Sequence, residues 1–480
     1  MNRITKNILI LIYFSVVFCD LNNDARMLGL SNAYTNISRG YSCIGINPAN
    51  LAVSPNFTLN FGSFYSSTMN NLLSVKNYND FSGSNMIDST DINYYNKNQL
   101  KDLFDNKGLI ISSEIGYSLP FISFSINNYA FTSKTNTFAE AGIPNLLLDL
   151  FFFGNNIGEN VDFDIPYSVQ SVQETGLSYA SQYKNIYYGI SIKHLLGLFH
   201  SDLYAIDSTY FLTDTSSFVI EGSYLLRQGL GGSGISLDVG LLTEEFYDGY
   251  QVGVSLINLF GRLNWSDNSY FRQFAEDLVF PLISDDMRLR PNEYKYYHFL
   301  VDSLTGESIS SDSYVVRTTN YNVIKVDNLD DVLFNYNPDL VVAISDSTEY
   351  LVPSERMPSN YIEKYTSEDN FTTNYPTLLR LGLSRKFLND GIVACDFTTG
   401  FSNNMSVYNK WQMNFGVEFN RFPDYPIRFG FMINDINTAF SFGSGIHKRG
   451  LKYDYAISLH DGYTLSKAKG VKFGMSIGWK

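Results

Sequence analysis

The side chains that could do chemistry are few and scattered. The five histidines, His194, His200, His298, His447 and His460, form no His-Glu-x-x-His pair and no metal-ligand spacing. No glycine-rich loop runs into Lys-Ser or Lys-Thr to cradle a phosphate, and no nucleophile elbow offers Gly-x-Ser-x-Gly at a strand-to-helix turn. Cys43 and Cys395 are too far apart in sequence to suggest a disulfide framework. The expectation is no enzyme, no cofactor and no metal.

Charge placement is more informative. Lys193, Glu221, Asp238, Arg380, Asp396, Glu418, Arg428, Lys452, Asp454 and Lys472 all fall in segments that alternate with a period of two. Each occupies the parity opposite to the apolar residues. Five are basic and five acidic, a balance that predicts ion pairs bracing an interior rather than an ion-selective filter. Two further stretches stand out. Asn47-Pro48-Ala49 combines a good N-cap with proline at the first helical position, so residues 48–51 are expected to make one helical turn. Residues 142–156 (GIPNLLLDLFFFGNN) place Pro144 at a helix start and Gly154 at its stop. Leu146, Leu147, Leu148, Phe151, Phe152 and Phe153 on that helix are candidates for contact with a hydrophobic ligand; packing on loops is the plainer alternative.

The elements that carry these residues are strands. Residues 470–480 (GVKFGMSIGWK) alternate Val471, Phe473, Met475, Ile477 and Trp479 with charged, small or polar residues. The same period recurs around 57–61, 186–193, 218–224, 235–241, 250–256, 379–383, 393–397, 413–419, 427–434 and 451–460. Residues 109–119 and 121–131 read as two strands meeting at Pro120. Segments of about ten residues with one apolar face, separated by turns, mark a transmembrane β-barrel. Apolar faces four or five positions long approach the ~9–11 residues that cross hydrocarbon. Opposite faces rich in Gly and Ser suit a filled lumen better than a soluble surface. The connections at 184–185, 214–216, 389–391 and 449–450 are tight. The stretches 66–108, 132–173 and 260–375 are expected to be long extracellular loops, the last large enough for a small insertion.

Composition agrees. The 480 residues are 44% hydrophobic and 16% aromatic but only 17% charged, a β-rich bias. The net charge of −14 disfavours nucleic acid as a partner, because that affinity rests on Lys and Arg. Residues 1–19 have a basic n-region and an apolar h-region, as in a secretory signal. A segment over 20–56, small-residue-rich and without strand alternation across 25–52, precedes a barrel over 57–480; the resemblance below implies that 20–56 is a hatch.

A signal, then ARMLGLSNAYTNISRGYSCIGINPANLA (25–52), then a barrel resembles the fatty-acid-transporter (FadL-type) outer-membrane family and its PorV-like relatives. Leu28, Gly29, Ala33, Asn47, Pro48, Ala49, Leu51 and Ala52 carry the resemblance; Asn50 stands where a Gly is commoner, and Ser31 in a Gly-rich slot. The resemblance implies an all-β, antiparallel up-and-down barrel of about 14 strands (14–16) with an N-terminal hatch, in the outer membrane of a Gram-negative-type envelope. It implies passive transport of hydrophobic, fatty-acid-like molecules or, alternatively, a scaffold assisting protein secretion or surface attachment. The partners expected are outer-membrane lipid and either a hydrophobic solute or a secreted protein.

Overall fold

The computed structural model describes residues 24–53, 56–104, 108–118, 122–154, 157–158, 160–162, 165–205, 210–213, 218–265, 294–302, 316–318, 321–326, 348–353, 371–387, 391–401, 411–434 and 437–480. The barrel strands are β1 (Thr58–Asn70), β2 (Leu109–Tyr117), β3 (Phe124–Ile126), β4 (Tyr129–Ile143), β5 (Tyr167–Tyr183), β6 (Ile186–Ala205), β7 (Phe218–Thr243) and β8 (Tyr250–Trp265). They continue with β9 (Phe371–Asn374), β10 (Leu378–Phe387), β11 (Gly391–Gly400), β12 (Gln412–Phe419), β13 (Ile427–Asn434), β14 (Thr438–Lys448), β15 (Leu451–His460) and β16 (Gly470–Trp479). Apart from β2 with β3 and β9 with β10, each pairs antiparallel with its sequence neighbour, and β16 closes on β1 with Leu59 opposite Trp479. The short strands β2 and β3 share one place in the ring, and β9 and β10 share another. The result is a closed 14-stranded barrel, which leaves no unpaired edge in the hydrocarbon.

The parity read from sequence is the one the barrel uses. Ile192, Ile235, Leu381, Phe429 and Phe473 point outward and are exposed to the bilayer, while Lys193, Asp238, Arg380, Asp396, Glu418 and Arg428 are buried inside. An Arg or Lys moved to the lipid face at mid-bilayer would cost about 2–4 kcal/mol, which fixes the register of each strand.

Three sequence expectations change. Residues 121–131 are not one strand: they divide into β3, a turn at Asn127–Asn128 and the start of β4. Residues 132–173 are not one loop, since β4 runs to Ile143 and β5 starts at Tyr167. Their Ser- and Thr-rich sequence blurs the two-residue period. The tight connection read at 214–216 lies outside the described residues, and the strand that follows it, β7, starts at the long-loop end of the barrel, away from the turns at 184–185 and 449–450.

β6 and β7, at 20 and 26 residues, are twice the length a bilayer needs and carry the wall beyond the membrane at the long-loop end. The 260–375 stretch uses that extension. Tyr294–Asp302 pairs with the first part of β7, and β9 pairs with the end of β8. Within this stretch lie two short strands, Val316–Thr318 and Tyr321–Val326, and the second makes a separate hairpin with Thr348–Pro353.

Candidate functional site: a hatch clamped inside the barrel

Residues 24–53 fill the lumen. Asp24 caps the helix α1 (Ala25–Gly29) by accepting from the Arg26 N–H at 2.8 Å. Asn47 caps a 3₁₀ turn at Pro48–Ala52, its Oδ1 accepting from the Ala49 N–H at 3.1 Å while Nδ2 donates to the Leu241 carbonyl of β7. The expected turn is therefore present, and Asn47, Pro48 and Ala49 are all buried. The Asn50 side chain joins the two halves of the hatch, its Nδ2 donating to the Thr35 carbonyl at 2.8 Å and to Ser38 Oγ at 2.7 Å.

The barrel makes room with glycine. A Cβ on Gly189 would lie 2.4 Å from the Pro48 carbonyl carbon, one on Gly430 2.4 Å from the Leu30 carbonyl carbon, and one on Gly240 2.0 Å from Asn47 Oδ1. Hatch backbone thus lies directly on wall backbone, a contact that only glycine allows. Gly189 faces Gly240 and Gly416 faces Gly430 across the ladder, so the small residues form a girdle at the level of the hatch.

Three ion-pair clusters complete the clamp. In the first, Asp396 Oδ2 accepts from the Tyr34 and Thr35 N–H groups at 2.7 Å each and from Thr35 Oγ1 at 2.6 Å. Arg380 donates to Asp396 at 3.2 Å, to Thr35 Oγ1 at 3.0 Å and to the Asn32 carbonyl at 2.8 Å. In the second, the hatch residue Arg26 holds Glu418 in a two-pronged pair at 2.7 and 2.8 Å. Arg428 bridges Glu418 at 2.6 Å and Asp454 at 2.7 Å, and His447 meets Asp454 at 3.0 Å. The third lies on the other side of the hatch. Lys193 meets Asp238 at 2.8 Å and Glu174 at 3.3 Å; Glu174 is also met by Lys134 at 3.5 Å and by the Tyr375 hydroxyl at 2.6 Å. Such bidentate and charge-assisted bonds are short and directional.

Seven of the ten charges singled out from sequence therefore sit in these clusters. Lys472 is buried in the lumen, and Lys452 lines a cavity at the short-turn end. The Glu221 side chain lies outside the described residues. Lys134, Glu174 and Arg26 were missed. Lys134 belongs to the stretch read as a loop, Glu174 follows its end directly, and Arg26 lies in a hatch with no period to assign its face. Gly474–Gly478 spells Gly-x-Ser-x-Gly inside strand β16, with Ser476 opposite Ser63 and Asp454, and so is no elbow.

Nearer the long-loop end, Trp265 forms an aromatic layer. Its indole stacks on Phe371 with centroids 6.0 Å apart and lies 5.4 Å from the His200 ring, and Nε1 donates to Thr373 Oγ1 at 2.9 Å. Gly197, Gly229 and Gly232 form its socket. Above it, helices α2 (Val75–Phe81), α3 (Lys97–Phe104) and α4 (Asn145–Phe153) cap the mouth. The candidate ligand contacts separate here. Leu148 and Phe152 pack around Leu72 and Leu100, and Leu146 is buried, whereas Leu147, Phe151 and Phe153 are exposed, Phe151 to 81%.

The wall is interrupted once beside the hatch. Pairing with β2 ends at Tyr117–Thr135 and pairing with β3 begins at Phe124–Phe131, so the described ladder along β4 breaks between these two points. A small hydroxyl-lined pocket behind this interruption includes Ser118, Ser123 and Ser133 from the wall and Ile44 and Gly45 from the hatch.

Cys43 reports on the clamp. It is fully buried in the hatch, and burial pushes its thiol up to about 12. Because the thiolate is the reactive form, a chain with Cys19 and Cys395 replaced by serine is expected to react with maleimide at pH 8 at least ~100-fold more slowly when folded than in denaturant. Timed labelling followed by mass measurement checks this.

Fold and site together define a membrane-spanning β-barrel closed by an internal hatch. The family model described as "Family of unknown function (DUF5723)" matches residues 48–228. No curated protein matches. Solved structures similar in fold include the CymD monoaromatic hydrocarbon channel, at 12% identity over 96% of this chain and 98% of that one (TM-score 0.46). They also include the toluene transporter TodX of P. putida, at 11% identity over 96% and 99% (TM-score 0.45), and the toluene transporter TbuX of Ralstonia pickettii, at 12% over 94% and 97% (TM-score 0.41).

Proposed function

We propose that this chain is an outer-membrane protein that passes hydrophobic small molecules, fatty-acid-like in class, from the long-loop side through the barrel wall. The long loops then face the exterior and the short turns the periplasm. The observation that carries this reading is the break in the described ladder between Tyr117 and Phe124, beside a clamped hatch. Axial passage requires breaking buried ion pairs, and removing one partner of such a pair costs about 3–5 kcal/mol. Sideways exit between Tyr117 and Phe124 breaks no pairing of the described ladder on β4. Asn47, Pro48 and Ala49 act as the fixed floor of the route, and Leu147, Phe151 and Phe153 as the apolar surface that first meets the solute.

Deleting Leu119, Pro120 and Phe121 leaves three residues opposite three on β4 and allows a continuous ladder. The proposal expects this variant to lose fatty-acid uptake into proteoliposomes while folding as a barrel. Uptake no faster with the unaltered protein than in protein-free liposomes sinks it.

A second reading, a surface scaffold for a secreted protein, is favoured by the exposed apolar residues Ile87, Ile92 and Phe151 on the cap. In that case capture of the partner is lost on deleting 260–375 or on making those three residues polar, with uptake absent throughout.

A further inference from the structure

The cavity at the short-turn end has a charge balance at odds with the chain. It measures about 710 Å³ and is roofed by the hatch. Seven Lys and Arg line it against five Asp and Glu, in a protein whose net charge is −14. The acids already have partners: Glu418 and Asp454 hold Arg26 and Arg428, Glu245 pairs with Lys386, Glu244 accepts from Gln182, and Asp24 accepts from Tyr34. Four cations have no carboxylate partner among the described residues: Arg385, which lies over the Tyr250 ring, and Arg39, Lys452 and Lys480. Arg39 spends one nitrogen, Nη1, on the Asn36 and Ser38 carbonyls at 2.7 Å each, which leaves Nε and Nη2.

The wall keeps these donors close. Lys452 stands opposite Gly478 in the ladder, both on the inward parity. A Cβ on Gly478 would lie 2.9 Å from the Tyr41 hydroxyl, so the glycine admits a phenol from the hatch beside the lysine. Lys480 follows two residues later at the rim. Partial burial at the rim, together with Arg26 and Arg39, holds the Lys480 ammonium below its ordinary value, and burial with Arg26 brings Arg39 down to about 10. Cations that depress one another in a partly enclosed space are relieved by an anion between them.

We propose that this cavity is a binding site for a small polyanion bearing two anionic oxygen groups, either a phosphate ester or a dicarboxylate. A guanidinium edge and two ammonium groups with no carboxylate partner among the described residues, beside a phenol hydroxyl, supply donors in the arrangement that recognises phosphate and carboxylate oxygens. The site lies on the short-turn side of the hatch and does not depend on the wall interruption, so it stands whether or not the barrel transports an apolar solute.

Calorimetric titration of the full chain in a non-ionic detergent tests it, with glycerol 3-phosphate and succinate as separate probes. The site expects at least one probe to bind; which one binds more tightly assigns the source. Lys452→Gln and Lys480→Gln are each expected to weaken binding about tenfold, since each removes one charge-assisted contact. Lys480 is exposed at the rim, so its variant keeps the test open if the Lys452 variant folds poorly. No heat from either probe at millimolar concentration, or equal affinity in both variants and the unaltered chain, overturns the site.

Discussion

Asp396→Ala is expected to free the hatch from the wall. Its single Oδ2 organises two hatch backbone N–H groups, a threonine hydroxyl and Arg380. The variant leaves a buried guanidinium without its carboxylate and two N–H groups without an acceptor. Removing one partner of a buried ion pair costs about 3–5 kcal/mol. The barrel ladder is untouched, so the loss falls on the hatch. Thermal unfolding followed by near-ultraviolet circular dichroism should show an early hatch transition, with the strand signal unchanged. Cys43 should label at pH 8 in the folded barrel, and single-channel recordings should show openings that the unaltered chain lacks. Arg380→Ala is a weaker test, because Thr35 and the hatch backbone still satisfy the carboxylate. Unchanged Cys43 protection in Asp396→Ala would show that the glycine girdle alone seats the hatch.

Gly189→Val tests that girdle. The added side chain meets the backbone of Pro48 and Ala49 at 2.4–2.5 Å, and the proline ring fixes φ at that turn, so neither side can give. Overpacking typically costs about 1–3 kcal/mol, and a rigid backbone obstacle places this site at the upper end, about 3 kcal/mol. Valine suits a strand, so the barrel itself folds. The Asp396 contacts to Tyr34 and Thr35 are spared. Loosening is expected around Cys43 and the Asn47 turn while the Arg26–Glu418 pair holds. Limited trypsin digestion should cut after Arg39 and spare Arg26. Cleavage at neither position, with a melting profile unchanged, would count against close seating of the Asn47 turn on β6.

The two variants separate what sequence showed from what it did not. Asp396 and Arg380 were legible as inward charges because Cys395 and Leu381 beside them are apolar and a barrel strand has one lipid face. Their mutual contact was partly legible too, since both fall on one parity of neighbouring strands. That Asp396 reaches the hatch N–H groups of Tyr34 and Thr35 was not. Those groups lie some 360 residues away, in a segment without any period, where neighbours are set by how the chain threads the lumen. Gly189 and Gly240 read only as small residues in strands. Their use, Gly189 against the Pro48 backbone and Gly240 against the Asn47 side chain, exists only once the hatch is in place.

The amino-acid sequence by itself determined the class of fold, the inside and outside of most strands, and the turn at Asn47-Pro48-Ala49. Each of these follows from local alternation, a fixed proline φ, or the cost of a charge in lipid. The tertiary structure alone decided the rest. It merged β2 and β3 into one place in the ring, recruited Arg26, Lys134 and Glu174 into the lumen network, and turned half of the 142–156 helix into the packed cap. It also left Arg39, Lys452 and Lys480 facing one cavity. The physical reason is that pairing between charges and close approach of backbones depend on distance in space, and barrel closure brings together residues that no local pattern relates.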